Sequence, residues 1–101
     1  MYILKIFSFL IILFSTPLHA RDYIIVQSTT STVNTGLLDI LSQQYFLETG
    51  IEVRTIAVGT GTAIANAKKG DGDILIVHSK SDELEFIEEG FGVERFDLMY
   101  N

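Results

Sequence analysis

Five consecutive hydroxyl side chains, Ser28-Thr29-Thr30-Ser31-Thr32, stand one residue, Gln27, beyond the apolar run Tyr23-Ile24-Ile25-Val26. Between a strand and a helix, such a stretch turns hydroxyl protons and unpaired backbone N–H groups toward one point, which is what a small oxyanion needs. A second strand runs into Val58-Gly59-Thr60-Gly61-Thr62-Ala63, another turn of small and hydroxyl residues. Two such turns side by side make an anion cradle.

Each piece also has a plainer use. Residues 28–32 suit a helix cap, because Ser and Thr are favoured there. Gly59 and Gly61 suit a tight turn that lets a helix pack closely on a strand. A dinucleotide fingerprint is excluded, since G-x-G-x-x-G/A needs a small residue where Ile64 stands. His78 reads as a rim or structural histidine and not as a metal ligand, because no second ligand is spaced with it. Arg54 reads as a solvated strand residue, and the acids between positions 82 and 89 as a solvated helix face. No Ser-His-Asp order or cysteine nucleophile can be argued, so no catalytic residue is assigned and the protein is read as no enzyme.

The elements that must position these residues alternate strictly. Residues 23–27 form a near-continuous apolar run of the kind found in a strand buried on both faces. Leu37, Leu38, Ile40, Leu41 and Phe46 repeat at helical spacing, with Gly50 as the stop signal. Residues 51–58 read as a second strand and 63–69 as a short helix whose Lys68 and Lys69 suit its negative end. Residues 73–77 read as a third buried strand, a third helix opens near Ser81 and ends at Gly90-Phe91-Gly92, and Asp97-Leu98-Met99-Tyr100 begins a fourth extended segment. The expected fold is therefore α/β, a parallel sheet with flanking helices. Ligands of such sheets sit beyond the carboxyl ends of the strands, where residues 28–32, 59–62 and 78–80 converge.

Residues 1–20 read as a cleaved secretory signal peptide. Lys5 precedes an apolar stretch from Ile6 to Phe14, and Ala20 stands before Arg21. The apolar run is shorter than the roughly 20 residues of a spanning helix. The chain has no cysteine, so neither a disulfide nor a lipid-bearing cysteine follows the leader, and a soluble periplasmic protein is expected. Its formal net charge is −6, and loss of the leader removes only Lys5, which makes nucleic acid and anionic membrane poor partners. Export likewise disfavours a nucleotide enzyme.

A combination of motifs carries a resemblance. Ser28-Thr29-Thr30-Ser31-Thr32, Gly36-Leu37-Leu38-Asp39, Thr49-Gly50-Ile51-Glu52-Val53, Ala57-Val58-Gly59-Thr60-Gly61, Gly70-Asp71-Gly72-Asp73 with Val77-His78, and Met99-Tyr100-Asn101 together resemble the N-terminal part of periplasmic tungstate-binding proteins of ABC uptake systems. These are type II periplasmic binding proteins, whose two α/β lobes close on a ligand. The resemblance implies that residues 21–101 are a partial, truncated N-terminal lobe. It implies a tungstate or molybdate ligand, no cofactor, the permease subunits of an ABC transporter as partners, and a monomer.

Carried over by position, the family's threonine-rich oxyanion motif falls on Ser28, Thr29, Thr30 and Ser31, with Ser28 replacing the usual first threonine. The Val-Gly-Thr-Gly turn falls on Val58, Gly59, Thr60 and Gly61, followed by Thr62 where glutamine is often found. The anion-contacting arginine falls on Arg95. An exported enzyme holding a phosphate-type ligand in the same turns, and a fragment that does not bind, are the competing readings.

Overall fold

The computed structural model describes residues 22–100. The leader expected at residues 1–20 lies outside them. Among the described residues three strands and four helices follow in chain order: β1 Tyr23–Thr29, α1 Thr30–Asn34, α2 Leu37–Thr49, β2 Glu52–Val58, α3 Thr60–Lys68, β3 Ile74–Ile76 and α4 Lys80–Glu88. The sheet order is β2-β1-β3 and both pairings are parallel. The α/β fold with a parallel sheet and flanking helices, expected for the first lobe of a type II periplasmic binding protein, is the fold observed.

The register explains where the site lies. Tyr23 pairs with Glu52 and Thr29 with Val58, while Val26 pairs with Ile74 and Ser28 with Ile76, so all three strands end at one rim. Strand β1, flanked on both sides, is buried through Val26, Gln27, Ser28 and Thr29. Alternate side chains point to opposite faces. Val26 faces Leu38 and Leu41 of α2 across an open apolar hollow of about 330 Å³. On the other face, the Asn66 amide of α3 donates to Gln27 Oε1 at 3.2 Å. Among the described residues the buried apolar side chains are few, Val26, Leu38, Ala63 and Phe86.

Two glycines fix the turns. Gly50 ends α2 with φ 72°, a left-handed conformation that makes the expected stop signal real. Gly72 sits against the buried Gln27: a Cβ at 72 would lie 2.8 Å from Gln27 Cγ. Gln27 in turn donates to the Asp71 carbonyl at 2.8 Å. Asp73 closes the same corner, its N–H donating to the Ile25 carbonyl and its carboxylate accepting from the Ile25 N–H, both at 2.8 Å.

Several boundaries differ from the expectation. Ser28 and Thr29 are not loop residues; the parallel ladder continues through Ser28–Ala57 and Thr29–Val58 and holds them in β1. Helix α3 begins at Thr60 and not at 63, because Gly59 alone makes the passage from β2 into the helix. Strand β3 is shorter than 73–77, and Ile74 is 44% exposed instead of buried, since an edge strand facing the hollow under α2 has no cover on that side. Residues 97–100 form no strand among the described residues; they are exposed and irregular. No helix among the described residues is long and apolar enough to cross a membrane.

Candidate functional site

The rim is built from the carboxyl ends of the three strands. Helix α1 follows β1 without an intervening residue, and Thr29, in extended conformation (φ −107°, ψ 153°), is its N-cap. The Thr32 N–H donates to Thr29 Oγ1 at 3.2 Å, so the capping use of this stretch is real at Thr29. The same oxygen lies 2.7 Å from Thr32 Oγ1 and 3.2 Å from Ser31 Oγ. Ser31 Oγ is 3.1 Å from His78 Nε2, which sits in the loop after β3. Three hydroxyls and one imidazole therefore form a continuous chain across the rim.

Ser28 stands apart from that chain. It is fully buried, and its hydroxyl donates to the Ile76 carbonyl of β3 at 2.7 Å. Its single proton is committed to the β1–β3 pairing, leaving only acceptor capacity. Thr30 and Ser31, by contrast, are exposed, and Thr29 is buried.

Gly59, Thr60 and Gly61 occupy the end of β2, next to Thr29 through the Thr29–Val58 pair. Gly59 is the N-cap of α3 and provides no side-chain cap; the first intrahelical bond runs from Ala63 N–H to the Gly59 carbonyl at 2.9 Å. The N–H groups of Thr60, Gly61 and Thr62 consequently have no intrahelical acceptor and point outward from the positive end of the helix.

Arg95 lines a large open cavity of about 1100 Å³ together with Ser31, Thr32, Thr35 and His78. The cavity does not reach Gly59, Thr60 or Gly61. Arg95 is 20% exposed, with Nη1 2.8 Å from Asp97 and Nε 3.6 Å from Glu83. Its Nε is buried and makes no hydrogen bond. Two carboxylates thus balance the guanidinium beside the cavity. Glu83 departs from the solvated helix face expected for the acids between positions 82 and 89, because it pairs with the part-buried Arg95.

Arg54 keeps its expected place in solvent, paired with Glu52 at 3.3 Å and stacked 3.8 Å over the Tyr23 ring. It belongs to the opposite end of the sheet from the rim. Among the described residues, no group of three or more His, Cys, Asp or Glu side chains could hold a metal cation.

The sequence singled out His78, but its contact with Ser31 spans 47 positions and no spacing rule exposes it. Glu83 and Asp97 around Arg95 were equally hidden. Gln27 carried a usable signal: an amide closing an otherwise apolar buried run needs partners, and Asp71 and Asn66 supply them.

Comparison with known proteins decides the family. Residues 15–101 match the family described as the PBP superfamily domain. This chain is a member of the PBP superfamily. It is 50% identical over 82 residues to the tungstate-binding protein TupA of Peptoclostridium acidaminophilum, an alignment that covers 81% of this chain and 29% of that protein. Against the tungstate-binding protein TupA of Campylobacter jejuni it is 49% identical over 71 residues, 70% of this chain and 26% of the relative. The crystal structure of the tungstate ABC transporter from Geobacter sulfurreducens superposes with a TM-score of 0.77 at 40% identity, covering 82% of this chain and 36% of that one. This superfamily member thus spans less than two fifths of the length of each of these proteins.

Proposed function

We propose that the protein carrying this chain is an extracytoplasmic solute-binding protein that captures tungstate, with molybdate as the alternative ligand, for an ABC transporter. The observation that carries the reading is the hydroxyl chain at the strand rim, beside a cavity that Arg95 also lines. The names of the relatives, given for tungstate binding and transport and not for catalysis, support the choice of anion and of role.

In this reading residues 21–101 contribute part of the first of two lobes, and a second lobe completes the site. The protein acts as a monomer in the periplasm and delivers its ligand to the permease subunits. Thr29, Thr30, Ser31, Gly59, Thr60, Gly61 and Arg95 form the first-lobe side of the site. Ser28 contributes through its place in β1 and not through its proton. Gly59 and Gly61 support the assignment in a specific way: neither has positive φ, and a Cβ built on either meets nothing within 4 Å. Gly59 also serves as the N-cap of α3, but at Gly61 neither strain nor local packing asks for glycine, whereas close approach of a ligand to the backbone does.

Magnitudes agree with a site of several weak donors. A micromolar to nanomolar complex needs about 8 to 12 kcal/mol. Neutral hydrogen bonds net roughly 0.5 to 1.5 kcal/mol each and charged ones roughly 1.5 to 3. Hydroxyls, N–H groups and one arginine on this lobe supply part of that, and a closing second lobe supplies the remainder. Titration calorimetry of the protein with tungstate, molybdate, sulfate and phosphate tests the reading. Tight binding of the first two is expected, and heat from sulfate or phosphate alone would overturn it.

A further inference from the structure

We infer that His78 is a positioning residue of the anion site, donating through a protonated Nε2 to Ser31 and thereby freeing one hydroxyl proton for the ligand. The inference rests on the oxyanion reading above. It follows from counting protons along the chain Thr32–Thr29–Ser31–His78.

The chain has three contacts: Thr32 Oγ1 to Thr29 Oγ1 at 2.7 Å, Thr29 Oγ1 to Ser31 Oγ at 3.2 Å, and Ser31 Oγ to His78 Nε2 at 3.1 Å. Three hydroxyls bring three protons. If Nε2 is bare, it accepts from Ser31, Ser31 accepts from Thr29, and Thr29 accepts from Thr32. Every proton is then consumed inside the chain, and the rim offers an anion only oxygen lone pairs from these side chains. If Nε2 carries a proton, the imidazole fills the last contact itself, and two hydroxyl protons fill the other two. One O–H, on Ser31 or on Thr32, is left to point at the ligand.

Thr29 cannot take up the surplus. Its oxygen already accepts from the Thr32 N–H and faces two further hydroxyls, which saturates one donor and two acceptor sites. An anion offers acceptors only, so its arrival favours the protonated Nε2 in either the neutral Nε2–H tautomer or the imidazolium. The charged groups sharing the cavity wall with His78 are Asp73, Lys80, Glu83, Glu94, Arg95 and Asp97. Arg95 is matched by Glu83 and Asp97, and the Asp73 carboxylate accepts from Ile25; His78 is the side chain in contact with the hydroxyl chain, and its tautomer sets how many hydroxyl protons remain.

The test is a long-range proton–nitrogen correlation spectrum of the imidazole in the ¹⁵N-labelled protein, with the His78 signals assigned by their loss in His78→Gln. On saturation with sodium tungstate, Nε2 is expected at the pyrrole-type or imidazolium position. A pyridine-type Nε2 in the saturated protein would overturn the inference while leaving the oxyanion reading intact. Absence of any tungstate uptake overturns both. His78→Gln, whose amide N–H reaches the position of Nε2, is expected to bind tungstate within about threefold of the unmodified protein, the scale of a conserved neutral hydrogen bond. A loss beyond about tenfold, a full lost bond, in a variant with an unchanged melting temperature would also overturn the inference.

Discussion

Ser28 Oγ donates to the Ile76 carbonyl at 2.7 Å, joining the central strand to its edge partner by a side chain where the β3 ladder is only three residues long. The first hydroxyl of the Ser-Thr-Thr-Ser motif is thereby a clamp beneath the site. Ser28→Ala is expected to destabilise the fold by about 0.5–1.5 kcal/mol, because a part-buried carbonyl loses a hydrogen bond. Chemical denaturation measures that loss. Tungstate affinity of the folded fraction, measured in the same samples, should fall less than in Ser31→Ala.

The two kinds of glycine separate in the same pair of assays. Gly72→Ala drives a Cβ toward the buried Gln27 side chain, and overpacking of this kind costs about 1–3 kcal/mol. Gly59→Ala and Gly61→Ala meet open space and are expected to move the melting temperature less than Gly72→Ala does, while lowering tungstate affinity. Equal melting temperatures for all three variants would contradict this division.

Arg95→Ala is expected to weaken tungstate binding more than Arg54→Ala, by about 1.5–3 kcal/mol, the scale of a charged donor. Arg54 serves Glu52 and the Tyr23 ring at the far end of the sheet. Calorimetric titration of both variants checks the difference, and equal losses would remove Arg95 from the site.

The Lys68–Glu89 pair, 2.8 Å apart, ties the end of α3 to the end of α4. Their hydrogen bond raises the Lys68 pKa and lowers that of Glu89. A lowered carboxyl contributes stability above its unfolded pKa and loses it as pH falls through the folded value; a raised amine loses its contribution only as pH rises through its own. Glu89→Gln should therefore lower the melting temperature slightly near neutral pH and make no difference once the carboxyl is protonated in acid. A melting-temperature gap between the two proteins that persisted in acid would assign the effect to packing.

The sequence was legible where one residue type has one physical meaning. Gly50 promised and delivered a left-handed helix stop, and the apolar run from Tyr23 became the central strand. Parallel alternation brought the three loops to one rim. Legibility failed where a residue serves two purposes: Ser28 and Thr29 are loop-forming types held in β1 by ladder partners in β2, 29 positions away. It failed again where partners are distant, as for Ser31 with His78 and Arg95 with Glu83. Strand β3 read as buried from composition alone, but edge position decides its exposure.

Location of the anion tests the central claim most directly. In crystals of the protein grown with sodium tungstate, an anomalous difference map collected at the tungsten edge marks the metal without reference to protein chemistry. The strongest peak is expected at the carboxyl-end rim, with its oxygens in hydrogen-bond reach of Ser31 and the first turn of α3. A peak beside Arg54 at the opposite end of the sheet, or none on this lobe, would contradict the account.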